Sequence, residues 1–318
     1  MAVQEVSPRE TYGQVVAELG IANKNIVVLD ADLSHSTMTK FFAAKHPERF
    51  FNCGIAEANM IGMAAGFAAA GKIPFASTFA VFAPGRCFDQ IRMAVVQPQM
   101  NVKIVTTHGG ITVGEDGSSH QAIEDLSLAC SLVGLTVIVP ADAIETTQAV
   151  KYAAATEGPF LIRLSRAKVP VLYDDKYKFQ IGRAVTLREG KSATIIANGL
   201  MITAALEAAD KLKQEGIACT VLNMHTLSPI DEAAIVKAAK DTGAIVTAEE
   251  HLEHGALSGI VAQVVVKNQP VPMEYVALKG YAQSGKPNEL LARYGLTSKD
   301  IEASVRKVVA RKEGLINI

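Results

Sequence analysis

The chain has 318 residues, 49% of them hydrophobic and 20% charged, which fills sizeable cores, excludes a disordered or linker protein and suggests two domains at about 150 residues each. Its 31 Lys and Arg balance 32 Asp and Glu for a net charge of −1, arguing against a nucleic-acid partner or a polybasic membrane surface. The longest stretch free of Asp, Glu, Lys and Arg, residues 126–141, falls short of the ~20 apolar residues of a membrane span.

The opening MAVQEVSPRE has neither a basic nor an apolar signal region, so no signal peptide is expected. Strands are predicted over 25–30, 73–77, 102–107, 136–139 and 160–163. Helices fall between them at 12–20, 38–45, 55–70, 88–96, 122–131 and 144–155. This β-α alternation reads as an α/β fold with a parallel sheet covered by helices. Residues 167–183, with Pro170 and an alternation of Lys and aromatics (DDKYKF), read as a linker. A second, smaller series follows, with strands at 193–197, 219–222, 244–248 and 273–276. Its helices are predicted at 204–214, 232–239, 258–266 and 299–309. The expected division is residues 1–183 and 184–318. Cys53, Cys87, Cys130 and Cys219 form no CxxC pair, so no zinc site or disulfide framework is expected and a reducing cytoplasm is the expected compartment.

Three segments carry candidate chemistry. Residues 51–71 (FNCGIAEANMIGMAAGFAAAG) hold one charge, Glu57, in 21 residues. The helix that follows is apolar or small on nearly all faces, which predicts a buried helix. Glu57 then reads as a lone carboxylate near a helix N-terminus in an apolar setting, suited to proton exchange with a weakly basic nitrogen. The same spacing suits a first-turn Glu facing water. In the uncharged IPFASTFAVFAPG, Phe79 and Phe82 lie on one side of a helical turn. They suit either the wall of a pocket for a flat ring or ordinary core packing. The loop THGGITVGEDGSSHQ leaves a strand and presents His108, Glu115, Asp116 and His120 among four glycines. It suits a ligand loop for hydroxyl and phosphate groups, a polar surface loop or, less well by spacing, a metal site. Arg9, the DADLSHS loop with Asp32 and Ser36, and Arg166 of LIRLSR lie at strand ends or chain entry. Together such groups would clamp a phosphate.

Together these segments resemble the C-terminal half of transketolase, a thiamine-diphosphate enzyme. GIAEANMIGMAAGFA resembles the helix carrying the carboxylate that meets the cofactor's aminopyrimidine. STFAVF resembles its aromatic pocket, and THGGITVGEDGSSHQ its substrate loop. The order from PRET through DADLSHS to LSR also matches. The resemblance implies a pyrimidine-binding domain followed by a smaller α/β C-terminal domain. It implies that Glu57 protonates the pyrimidine ring nitrogen, with Phe79 and Phe82 stacking on the ring and Asp32 beside the cofactor. Arg9, Ser36, His108 and Arg166 would bind the sugar phosphate. Asp116 and His120 would contact sugar hydroxyls near the reacting carbons, His120 with a catalytic part.

Some positions depart from the pattern. Gly85 stands where many members have a Tyr, and Gly109 replaces an acid common after the loop's first His. No GDG motif for diphosphate and Mg²⁺ is present, nor the histidines that the N-terminal half places around the thiazolium. The resemblance is therefore to a split transketolase. The chain's implied partner is a diphosphate-domain subunit that holds the Mg²⁺, two copies of each making a heterotetramer acting on sugar phosphates. Rival readings are half of a deoxyxylulose-5-phosphate synthase, a 2-oxo acid dehydrogenase beta subunit, and a noncatalytic regulatory relative. The GEDGxxHQ loop with a downstream LSR, and the intact Glu57, Asp116, His120 and Arg166, favour transketolase.

Overall fold

A computed structural model describes residues 4–315; the first three residues, where the segment read for a signal peptide begins, lie outside the described residues. In chain order the strands are β1 (Glu5–Val6), β2 (Ile26–Asp30), β3 (Phe50–Asn52), β4 (Ile73–Phe79), β5 (Lys103–Thr107), β6 (Thr136–Ile138) and β7 (Phe160–Arg163). They continue as β8 (Val169–Pro170), β9 (Val185–Arg188), β10 (Ala193–Ala197), β11 (Cys219–Asn223), β12 (Thr226–Ser228), β13 (Ile245–Leu252) and β14 (Met273–Leu278). The fold is α/β, as the alternation predicts. One sheet runs β12-β6-β7-β5-β4-β2-β3 and is parallel except at β12. The other runs β14-β13-β10-β11-β9 and is parallel except at β9.

The central strands IVVLD, KIVTT, FLIR and ATIIA are buried along their whole length. A parallel strand covered by helices on both faces needs a continuous apolar run rather than an alternating one. Beneath the first sheet, Tyr12 is fully buried and its hydroxyl meets Ser77 Oγ at 2.7 Å, tying the helix Pro8–Ala22 to β4.

Several expectations are corrected. The helix Glu57–Ala69 is not buried all round: Asn59, Gly62, Gly66 and Ala69 are exposed, at the spacing of one helical face. The predicted helix 88–96 is a short α-turn, Phe88–Gln90, followed by a π-helical turn, Ile91–Val96. The helix predicted from 122 starts at Asp125, because Ala122 bridges Gly109 and Gly110 instead. The DADLSHS loop contains a helical turn, Ser34–Thr37. The buried Asp30 carboxylate organises it, accepting from Leu33 N, Thr37 Oγ1 and Thr39 Oγ1 at 2.6–2.8 Å. The linker is docked rather than loose. Its β8 pairs with β1, and Tyr173 and Tyr177 stack at 3.9 Å. Their hydroxyls reach Asn223 of β11 and Glu145 of the helix Ala143–Ala155.

Candidate active site

Strand register brings the predicted residues together. Asp30 of β2 lies beside Ser77 of β4, Phe79 beside Thr107 of β5, and Thr106 beside Arg163 of β7. The segments leaving these strands emerge at one end of the sheet, carrying Asp32, Phe82, His108 and Arg166. This C-terminal edge is where α/β sheets place ligands. Asp32 and His108 both hold φ near +60°, a conformation that L-residues adopt at some cost and that recurs at functional sites.

Glu57 opens its helix, and its side chain is only 6% exposed. It shares a cavity of about 310 Å³ with Asp32, Phe82, Arg86 and His120. The lone carboxylate expected from sequence is paired, because Arg86 Nη1 donates to Glu57 Oε1 at 3.0 Å. Asp32 accepts from Asn52 Nδ2 at 2.9 Å. Phe79 and Phe82 stack at 5.8 Å with their planes 15° apart. They are one aromatic group with the two histidines: His108 stacks on Phe79 at 3.9 Å, and His120 stands edge-on to Phe82 at 5.5 Å.

The second group is cationic. Arg9 Nη1 donates to the Ser36 carbonyl at 2.7 Å, while its buried Nε has no hydrogen-bond partner. Burial, and then the charge of Arg166, lowers the Arg9 pKa. Burial, followed by Arg9, Arg166 and His120, depresses His108 to about 3. His108 is therefore neutral at neutral pH, with Nδ1 2.8 Å from Thr107 Oγ1. Arg166 bonds the Val113 carbonyl and lies 3.6 Å from Glu115 and 4.0 Å from Asp116. Asp116 thus stands with the cationic group, and does not line the cavity that Glu57 and His120 share. His120 Nδ1 lies 2.9 Å from Ser119 Oγ. The structure therefore gathers Asp32, Glu57, Phe82 and His120 around one cavity, with Phe79 stacked on Phe82, and Arg9, Ser36, His108, Asp116 and Arg166 beside it.

Three positions carry more than their sequence signals. Arg86 closes a helical turn in a segment read as uncharged up to Gly85, and nothing in its spacing marks it as a partner of Glu57. Asp30 looked like the polar end of a strand, yet it shapes the whole loop. Gly109, where an acid is common, leaves room for Arg163: a Cβ there would meet Arg163 Nε at 2.0 Å. That arginine is 4% exposed, pairs with Asp125 at 3.2 Å and donates to the Glu250 carbonyl at 3.0 Å.

Comparison with known proteins accords with this arrangement. The family described as "Transketolase, pyrimidine binding domain" matches residues 4–171, and "Transketolase, C-terminal domain" matches 182–301. A putative transketolase C-terminal section from Methanocaldococcus jannaschii is 43% identical over 308 residues, 96% of each chain. Transketolase-like protein 2 from Mus musculus is 39% identical over 310 residues. That match takes in 96% of this chain and 49% of the mouse protein, so the chain spans about half its length. Among solved structures, a split-gene transketolase described as an inactive β4 tetramer superposes with a TM-score of 0.90 at 50% identity. It covers 96% of this chain and 99% of that one. Matched in the same order through both regions, and at 43% identity over nearly its whole length, the chain belongs to the transketolase family.

Proposed function

We propose that this chain is the pyrimidine-binding and C-terminal subunit of a split transketolase, which transfers a two-carbon ketol unit from a ketose phosphate to an aldose phosphate. The observation that carries the reading is the buried Glu57 carboxylate facing a cavity of about 310 Å³ beside Phe82 and His120. The residues fit the aminopyrimidine end of thiamine diphosphate. A flat cation with N–H donors, the Arg86 guanidinium, already meets both Glu57 and the Phe82 ring, and a protonated aminopyrimidine is likewise planar, cationic and edged with N–H donors.

When bound, thiamine diphosphate supplies the carbon nucleophile for the two-carbon unit. Glu57 holds and exchanges a proton at the pyrimidine nitrogen, and its burial excludes water that would compete for it. Phe79 and Phe82 fix the plane of the ring, with Asp32 at the rim of the same cavity. His120 reaches the reacting end of the sugar. Arg9, Ser36, His108 and Arg166 hold the sugar phosphate, which the unpartnered Arg9 Nε and the close Arg9–His108–Arg166 cluster support. Asp116 accepts a hydrogen bond from a sugar hydroxyl.

The diphosphate and Mg²⁺ belong, in this reading, to a separate diphosphate-domain subunit, two copies of each chain forming a heterotetramer in the cytoplasm. The end-to-end match to a C-terminal section and to a split-gene chain supports this division. Residues 1–183 would form the pyrimidine-binding part and 184–318 the C-terminal part. No helix among the described residues is long and apolar enough to cross a membrane.

Ketol transfer by the chain assembled with its diphosphate-domain partner tests the proposal. Glu57→Gln at saturating cofactor should reduce turnover by roughly 10²–10⁴ while leaving the fold intact. Near-normal turnover in that variant would remove Glu57 from the chemistry.

A further inference from the structure

Arg86 is the charged residue lining the cavity that the proposed chemistry leaves without a task. It closes the short helix Ala83–Arg86 and turns back into the pocket. Its Nη1 lies 3.0 Å from Glu57 Oε1, and its guanidinium carbon lies 4.1 Å from the centre of the Phe82 ring. These are the two surfaces that the proposed function reserves for the aminopyrimidine: a carboxylate for its ring nitrogen and an aromatic face for its plane. A guanidinium matches that ring in the properties both surfaces select, being planar, cationic, edged with N–H donors and able to stack. At contact distance from both, it occupies the Glu57 oxygen and the Phe82 face that an entering ring would use.

We propose, resting on that reading of the pocket, that Arg86 is an internal plug of the pyrimidine subsite, a surrogate ligand that must swing out before the cofactor ring can enter. Exposure suits such a movement. The Arg86 side chain is 53% exposed and that of Glu57 only 6%, so the arginine has a path into water while the carboxylate stays fixed. Without the plug, Glu57 would be a buried carboxylate with no cationic partner, which is unfavourable. Arg86 therefore stabilises the chain before the cofactor arrives and competes with it afterwards. When the ring enters, Glu57 exchanges one N–H donor for another and Arg86 regains its hydration.

The two roles give opposite signs in one variant. In the chain assembled with its diphosphate-domain partner, Arg86→Ala should bind thiamine diphosphate with Mg²⁺ about tenfold more tightly by calorimetry, equivalent to about 1.4 kcal/mol. The same variant without cofactor should unfold at a lower temperature than wild type. Arg86→Gln, which keeps a shorter stem and an N–H donor but loses the charge, should lie between the two on both measures. It also serves as the test should Arg86→Ala fail to assemble. A positioning role for Arg86 would lower affinity and stability together, so equal or weaker binding in both variants overturns the plug while leaving the cofactor reading intact. Absence of thiamine diphosphate binding in wild type and variants alike overturns the cofactor reading, and the plug with it.

Discussion

Arg9, His108 and Arg166 bring like charges together around a neutral imidazole. Burial is the larger cause of the lowered proton affinity of Arg9 and of His108; the charge of Arg166 adds to it at both, and that of Arg9 at His108. An anion between them relieves that repulsion and offers the Arg9 Nε the acceptor it lacks. Arg166→Ala should therefore act in two separable ways. It should raise the His108 titration midpoint above about 3, read from the imidazole proton shifts; an unmoved midpoint would mean that Arg166 does not sense His108. It should also lower kcat/KM for phosphorylated sugars relative to unphosphorylated ones by about 10- to 100-fold, the effect of one charge-assisted contact. Equal losses on both substrate types would assign Arg166 a structural part. Glu57 was legible at this scale because one charge in 21 residues stands out in any reading. Its partner was not, since an arginine at the end of a helical turn has the sequence signature of a solvated C-terminal charge.

At the scale of elements, buried strands flanked by further apolar residues were legible, the three-residue β6 among them, and the isolated short ones were not. β2, β5, β7 and β10 are buried runs of four or five residues built around two to four consecutive apolar ones, whereas β3 and β12 have three residues each and no apolar run beyond them. Strands that short have no measurable period, and distant pairing defines them. The helix Glu57–Ala69 misled for a related reason, as small residues read as apolar whether a neighbour covers them or not. The loop after β5 shows how packing fixes a local conformation that residue type leaves open. Its Gly109 faces the side chain of Arg163, which buried partners hold in place. Gly109→Ala should destabilise the chain by ~1–3 kcal/mol through overpacking, read from the denaturant midpoint. A neutral outcome would show that Arg163 can retreat.

Across the whole molecule, buried carboxylates join the two sheets. Glu145 accepts from Asn223 and Tyr177, and Glu250 of β13 accepts from Thr112 N in the loop after β5 at 2.6 Å. Burial pushes both up to about 7 from the ordinary 4.5. An acid raised on folding stabilises fully below its unfolded value and loses that stabilisation as pH rises through its folded one. His108 and His225, lowered by burial to about 3 and about 4 from 6.5, act the other way and lose stabilisation as pH falls. Comparison with Glu250→Gln isolates one term: between pH 4.5 and 7 wild type should lose unfolding temperature relative to the variant. A constant gap would mean that Glu250 does not titrate in that window. One strand in this assembly also bears on how the protein can be taken apart. Thr226–Ser228 lies beyond the boundary at 182, yet as β12 it closes the first sheet by pairing with β6. A fragment cut at that boundary would present β6 as a raw edge, the kind of template on which chains aggregate. Chimaeras joined there would pair a foreign strand with a native one. A recombinant exchange between relatives therefore has to respect the β6–β12 seam as well as the apparent junction in the chain.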